Sequence, residues 1–94
     1  MQEYWIGTTV IGFDGTVLEV FGSTDVHRYH IYHLTALKLS TTRSGKRTLT
    51  PMGPGRGVTM LMLENDEHVA AAESLIAAVN GARAARGWSP VPTT

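Results

Sequence analysis

Apolar residues come in short bursts over the first two thirds of the chain and in a longer stride over the last third. "YWIGTTVIGF" (4–13) and "TVLEVF" (16–21) are rich in β-branched and aromatic residues and predict strands. Between them, Asp14 and Gly15 supply the pair that a two-residue type I′ hairpin favours. "GSTD" (22–25) predicts a turn. Residues 27–41 contain neither Gly nor Pro and set Tyr29, Ile31, Leu37 and Leu39 on one alternating face. That run is long for a single strand, and a bend near His33 and Leu34 divides it. "RSGK" (43–46) predicts a hairpin turn into the strand "RTLT", and "PMGPGRG" (51–57) a loop before the strand "VTMLML" (58–63).

The period then changes. Asn65 or Asp66 can cap a helix, and Asp66 and Glu67 suit its positive end. Val69, Ala72, Leu75, Ile76, Val79 and Ala82 form one apolar stripe at helical spacing. Arg83 and Arg86 suit the last turn and Gly87 the position just past it, so the pattern predicts a helix over 66–86. A lone helix must bury its stripe on the sheet. The fold class is therefore α+β: a bent antiparallel sheet or partly open barrel of about six strands, capped by one C-terminal helix. A single domain over residues 1–88 is expected, with a flexible tail over 89–94, because Pro90 and Pro92 donate no backbone hydrogen bonds.

Composition narrows the chemistry. The 94 residues include 8 Lys and Arg against 8 Asp and Glu, so no net field draws the chain to nucleic acid or to a membrane. The local distribution is uneven. Between Val26 and Val58 stand Arg28, Lys38, Arg43, Lys46, Arg47 and Arg56 without a single acid, and every acid lies outside that block. Cysteine is absent, which excludes disulfides, thiol catalysis and thiolate metal sites and fits a reducing compartment. No apolar run reaches the length of a membrane span, and "MQEYWIGTT" lacks the features of a signal peptide, so a cytoplasmic protein is the expectation.

Several stretches resemble catalytic motifs and fail on a specific residue. "GFDGTVLE" is similar to the Asp-x-Asp-Gly-Thr of haloacid-dehalogenase-like phosphatases, but Gly12 occupies the nucleophile's position and no phospho-aspartyl intermediate can form. "RSGKR" lacks the Gly and the Ser or Thr of a phosphate loop, with Ser40 and Arg47 standing in their places. "GPGRG" runs into a strand rather than a helix N-terminus. Ser23, Asp25 and His27 are crowded into one turn, where triad geometry is rarely reached.

"HRYHIYH" (27–33) spaces His27, His30 and His33 three apart. In a strand, His27 and His33 share a face about 20 Å apart while His30 points the other way. On a helix, His27 and His33 sit roughly 120° apart. Neither geometry makes a three-histidine metal site, so no metal or cofactor is expected. The interleaved rings and cations also fit single-stranded nucleic acid, but Tyr29 and Tyr32 fall on opposite strand faces and share no platform, which disfavours that partner. A small hydrolase using His30 or His33, with an acid brought close by folding, is the alternative of another class.

Arg43, Lys46 and Arg47 bracket one turn, with Arg56 on the next loop, and form the candidate anion-binding set. The order of the segments resembles the pleckstrin-homology-like domains of bacteria, in particular small actinobacterial families of unknown function. The resemblance rests on the hairpin Phe13-Asp14-Gly15, then Arg28, Ile31, Leu34 and Leu37 at three-residue spacing, a turn at Gly45, "LMLEND", and the helix "AAESLIAAVNGARAA", together spanning about residues 5–86. It implies a docking module rather than an enzyme; eukaryotic relatives hold phosphoinositide headgroups through basic residues on a strand-linking loop, a site not carried over to Arg43, Lys46 and Arg47. Here the basic hairpin is not the family's usual first one. A protein partner or a homo-oligomer is also expected, since the sheet must end in an edge that a second chain can pair with.

Overall fold

The computed structural model describes residues 2–22, 26–53 and 60–93. Two antiparallel sheets and one helix make up the described residues. The first sheet runs in chain order through β1 (Gln2–Ile6), β2 (Thr9–Phe13), β3 (Val17–Phe21) and β4 (Val26–His30), and the second through β5 (Ala36–Thr41), β6 (Arg47–Met52) and β7 (Leu61–Leu63). The chain crosses between sheets at 31–35, where Ile31 N–H donates to Thr16 O and Thr35 N–H to Met52 O. The fold class read from the pattern stands: α+β, a bent antiparallel arrangement capped by a C-terminal helix, with no closed barrel among the described residues.

Seven strands replace the expected six because the apolar run 4–13 folds back on itself. Ile6 pairs with Thr9, so only Gly7 and Thr8 make the turn. Gly7 takes a φ of 64° while Thr8 stays negative, the arrangement of a type II′ hairpin, which requires glycine at its first central residue. The Asp14-Gly15 turn also differs from expectation. A type I′ turn needs positive φ at both central residues, and in this segment only Gly15 has it. Asp14 instead closes an Asx turn, its Oδ1 accepting from Thr16 N–H at 2.8 Å and Val17 N–H at 2.7 Å.

In the second sheet the segment 51–57 is not wholly a loop. Pro51 and Met52 extend β6, and Pro51 is buried opposite Leu37. Proline is tolerated there because Leu37 directs its own N–H away from β6, to Pro92 O, making Leu37 and Pro51 a pair that exchanges no hydrogen bonds. On its other side β6 pairs with β7 only from Arg47 to Leu49, so Pro51 breaks no ladder there. The strand expected over 58–63 is the three-residue β7, with Val58 and Thr59 outside the described residues.

Helix α1 (Asp66–Ala85) matches its sequence signature at both ends. Asn65 Oδ1 accepts from His68 N–H at 2.9 Å. At the other end, Trp88 N–H donates to Arg83 O and Gly87 N–H to Ala84 O, with Gly87 at φ 75°, the two bonds of a Schellman motif. Ala72, Leu75 and Val79 are the buried part of the stripe, and they join Ile6, Ile11, Leu18, Leu49 and their neighbours in one core. Val69, Ile76 and Ala82 are only half-buried at its margin.

Where a flexible tail is expected over 89–94, residues 89–93 are held against the rest of the chain, and Thr94 lies outside the described residues. Val91 is 3% exposed and belongs to the core, its N–H bonded to Asn80 Oδ1 at 2.8 Å. Pro92 O accepts from Leu37 N–H and Thr93 O from Leu39 N–H, at 2.9 and 2.8 Å. Proline cannot donate, but its carbonyl accepts as well as any other, so the tail satisfies the free edge of β5 without needing an N–H of its own. Arg83 fastens the same corner, donating through Nε to Ser89 O at 2.7 Å and through Nη1 to Ile31 O at 3.0 Å.

Candidate functional site

The cationic candidates are placed by the β5–β6 hairpin. Thr41 pairs with Arg47, leaving residues 42–46 as the loop. Thr42 ties that loop together: its N–H donates to Lys46 O at 2.7 Å, its O accepts from Gly45 N–H at 2.9 Å, and its Oγ1 accepts from Lys46 N–H at 3.1 Å. Arg43 and Lys46 project from this turn and are exposed. Arg47, the first residue of β6, leans toward the helix, with Nη2 3.6 Å from Asp66 Oδ1. Both side chains of that pair are exposed, so it contributes little to stability, yet it takes Arg47 partly out of the cationic set.

Beside the hairpin lies an open groove of about 500 Å³, lined by Gly45, Lys46, Arg47, Met62, Leu63 and Glu64. Its lining mixes the apolar side chains of Met62 and Leu63 with charged groups of both signs. The structure thus gathers Arg43, Lys46 and Arg47 on one hairpin, as the spacing predicts, but also brings Glu64 and Asp66 to it from a distant part of the sequence. Arg56 lies outside the described residues.

The histidine segment folds differently from a continuous strand. His27 sits half-buried and His30 exposed on opposite faces of β4, while the turn at 31–33 brings His33 round to His30, ring centroids 6.1 Å apart and edge to face. His30 Nδ1 accepts from Tyr32 N–H at 3.0 Å, and His33 N–H donates to His30 O, which builds the turn from the histidine itself. Tyr32 continues the ring contacts to Trp88, at 5.5 Å. Among the described residues no carboxylate hydrogen-bonds His30 or His33, and no group of three His, Asp or Glu could hold a metal ion. Ser23 and Asp25 of the crowded turn lie outside the described residues.

A residue the sequence pattern does not single out, His68, joins two elements. Its Nε2 lies 3.1 Å from Gly7 N and its Nδ1 3.0 Å from Glu64 N, both backbone donors. A neutral imidazole accepts at one nitrogen and carries a proton on the other, so any one tautomer accepts one of the two amides. Only the folded register puts the β1–β2 turn within reach of the first turn of α1, so no local signal could have found this contact.

The chain matches no protein-family profile, no curated protein and no solved structure. No helix among the described residues is long and apolar enough to cross a membrane.

Proposed function

We propose that the protein is a non-catalytic interaction module of pleckstrin-like architecture that docks an anionic group, on an acidic protein segment or a lipid headgroup, through the β5–β6 hairpin. One observation carries this reading: Arg43 and Lys46 stand exposed on a turn already held in place by three hydrogen bonds of Thr42. A cation on a pre-ordered turn loses less entropy on binding than one on a loose loop. The adjoining groove adds Met62 and Leu63 as apolar contacts beside the cations. Sheets of four and three strands with one C-terminal helix support the pleckstrin-like comparison, as an analogy of fold. The ion pair of Arg47 with Asp66, and Glu64 on the groove rim, temper the positive charge, so binding is weak and sensitive to salt. The cytoplasmic setting is part of the same proposal, resting on the lack of cysteine.

The test is titration of the wild type and an Arg43→Ala/Lys46→Ala variant with phosphatidylserine vesicles, with an acidic peptide and with an oligonucleotide, each at low and moderate salt. Each cation near an anionic membrane surface contributes about 1 kcal/mol, so the double variant is expected to lose roughly tenfold or more in vesicle affinity. Equal binding by the two proteins, or binding confined to the oligonucleotide, overturns the proposal.

A further inference from the structure

The face of the four-stranded sheet turned away from the core carries an ordered apolar row. The register sets Trp5 opposite Val10, Val10 opposite Phe21, and Phe21 opposite Val26, so these four side chains cross the sheet in one line from β1 to β4. They face outward because their chain neighbours Ile6, Ile11 and Val20 are buried and side chains alternate along a strand. At the two ends of the row, Trp5 is 62% and Val26 53% exposed. The next row on the same face is Glu3, Gly12, Glu19 and Arg28. Arg28 Nη2 lies 3.1 Å from Glu19 Oε2 but keeps 70% of its side chain exposed, and Glu3 has no ion-pair partner among the described residues.

We propose that this face is a homodimer interface in which two sheets stack about a two-fold axis parallel to the strands and midway between β2 and β3. That operation reverses the order of the strands and keeps their direction. Trp5 then meets Val26 of the second copy, and Val10 meets Phe21 of the second copy, so a large side chain opposes a small one at every position of the row. The same operation sets Glu3 against Arg28 of the second copy, with opposite charge, and Glu19 against the second copy's Gly12, where no side chain competes. A two-fold axis along the row instead would stack Trp5 on itself and leave both charged rows without a counterpart. The match is one of the row with its own reverse, which is the requirement of an isologous interface and selects a second copy of this chain as the occupant. Nearly parallel strands also suit the aligned packing of twisted sheets.

Size sets the strength. Four strands about 4.8 Å apart and five residues long at about 3.4 Å each present a face of roughly 19 by 17 Å, about 320 Å² per copy and smaller than a standard interface, so the dimer is a weak one with dissociation in the range of about tens to hundreds of micromolar. This face lies on the other sheet from the basic hairpin, so the two proposals stand or fall separately: a monomer that binds vesicles sinks only the dimer, and a dimer that ignores every anion sinks only the docking module.

The experiment is sedimentation velocity over about 5 to 500 µM, a span that brackets such a constant, on wild type, Trp5→Ser, Glu3→Arg and the triple swap Glu3→Arg/Glu19→Arg/Arg28→Glu, each first shown to be folded by circular dichroism. In a Trp88→Phe background the emission of Trp5 should also shift to the blue as concentration rises. Trp5→Ser is expected to raise the dissociation constant about tenfold or more, as loss of an aromatic anchor does. Glu3→Arg is expected to raise it about threefold, with recovery in the triple swap, which reverses the signs across the interface and keeps the pair between positions 19 and 28 within each copy. A wild type that stays monomeric throughout, or a dimer indifferent to Trp5→Ser, overturns the proposal.

Discussion

The carboxylate of Asp14 accepts N–H bonds from Val17 and Thr16, at 2.7 and 2.8 Å, and those bonds hold its pKa below the usual 3.8. A group whose folded pKa is depressed stabilises the fold above its unfolded pKa and loses that contribution as pH falls through the folded value. Asp14→Ala should therefore lower the melting temperature by a constant amount near neutral pH, and the gap to wild type should shrink once the pH drops below 3.8. A gap that persists unchanged into strong acid would assign the effect to the shape of the turn rather than to the charge. The motif that brings a phosphatase to mind thus has a purely architectural reading in this turn: the acid orders the link between β2 and β3.

Among the elements, α1 was the most legible in the sequence, because capping residues, periodicity and terminal glycine all act within the helix itself. Depth within its stripe was less so. Leu75 is fully buried and Ile76, one residue on, is half-buried, a distinction set by where the sheet lies rather than by the helix. Leu75→Ala should cost about 2 to 5 kcal/mol and Ile76→Ala about 1, measured by urea denaturation. Equal losses would mean that the helix sits rotated about its axis relative to the packing described above. The strands show the opposite limit. In the run 4–13 the one local turn signal, Gly7, is followed by β-branched Thr8 and Thr9, which read as strand, so the hairpin is settled only by the pairing of Ile6 with Thr9. The row Trp5, Val10, Phe21 and Val26 was invisible for the same reason, since its members become neighbours only once four strands are in register. The basic hairpin, by contrast, was read from five adjacent residues, while its acidic neighbours Glu64 and Asp66 arrive through tertiary folding.

At the scale of the whole molecule, strand pairing joins neighbours in sequence: β1 to β2, β2 to β3, β3 to β4, β5 to β6 and β6 to β7. The seam between the tail and β5 is the exception, linking Leu37 to Pro92 and Leu39 to Thr93 across most of the second half of the chain. Closing a long loop costs more entropy than closing a hairpin, so local pairs are expected to assemble early and this seam late. The reverse order governs opening. Two backbone bonds, the burial of Val91, the bond from Val91 N–H to Asn80 Oδ1 and the bond from Arg83 Nε to Ser89 O hold the seam, whereas every other strand junction is a ladder over three or more paired residues. In native-state hydrogen exchange, the amides of Leu37 and Leu39 should therefore exchange through a low-energy opening that leaves the β2–β3 ladder protected. Asn80→Ala should speed their exchange without altering that of Gly12 or Glu19, whose amides bond within the β2–β3 ladder; matched rates at all four amides would show that the tail opens only when the entire domain does. An opened seam exposes the N–H groups of β5 to any extended chain nearby, so the stability of this short closure sets how often the second sheet presents a strand edge to its surroundings.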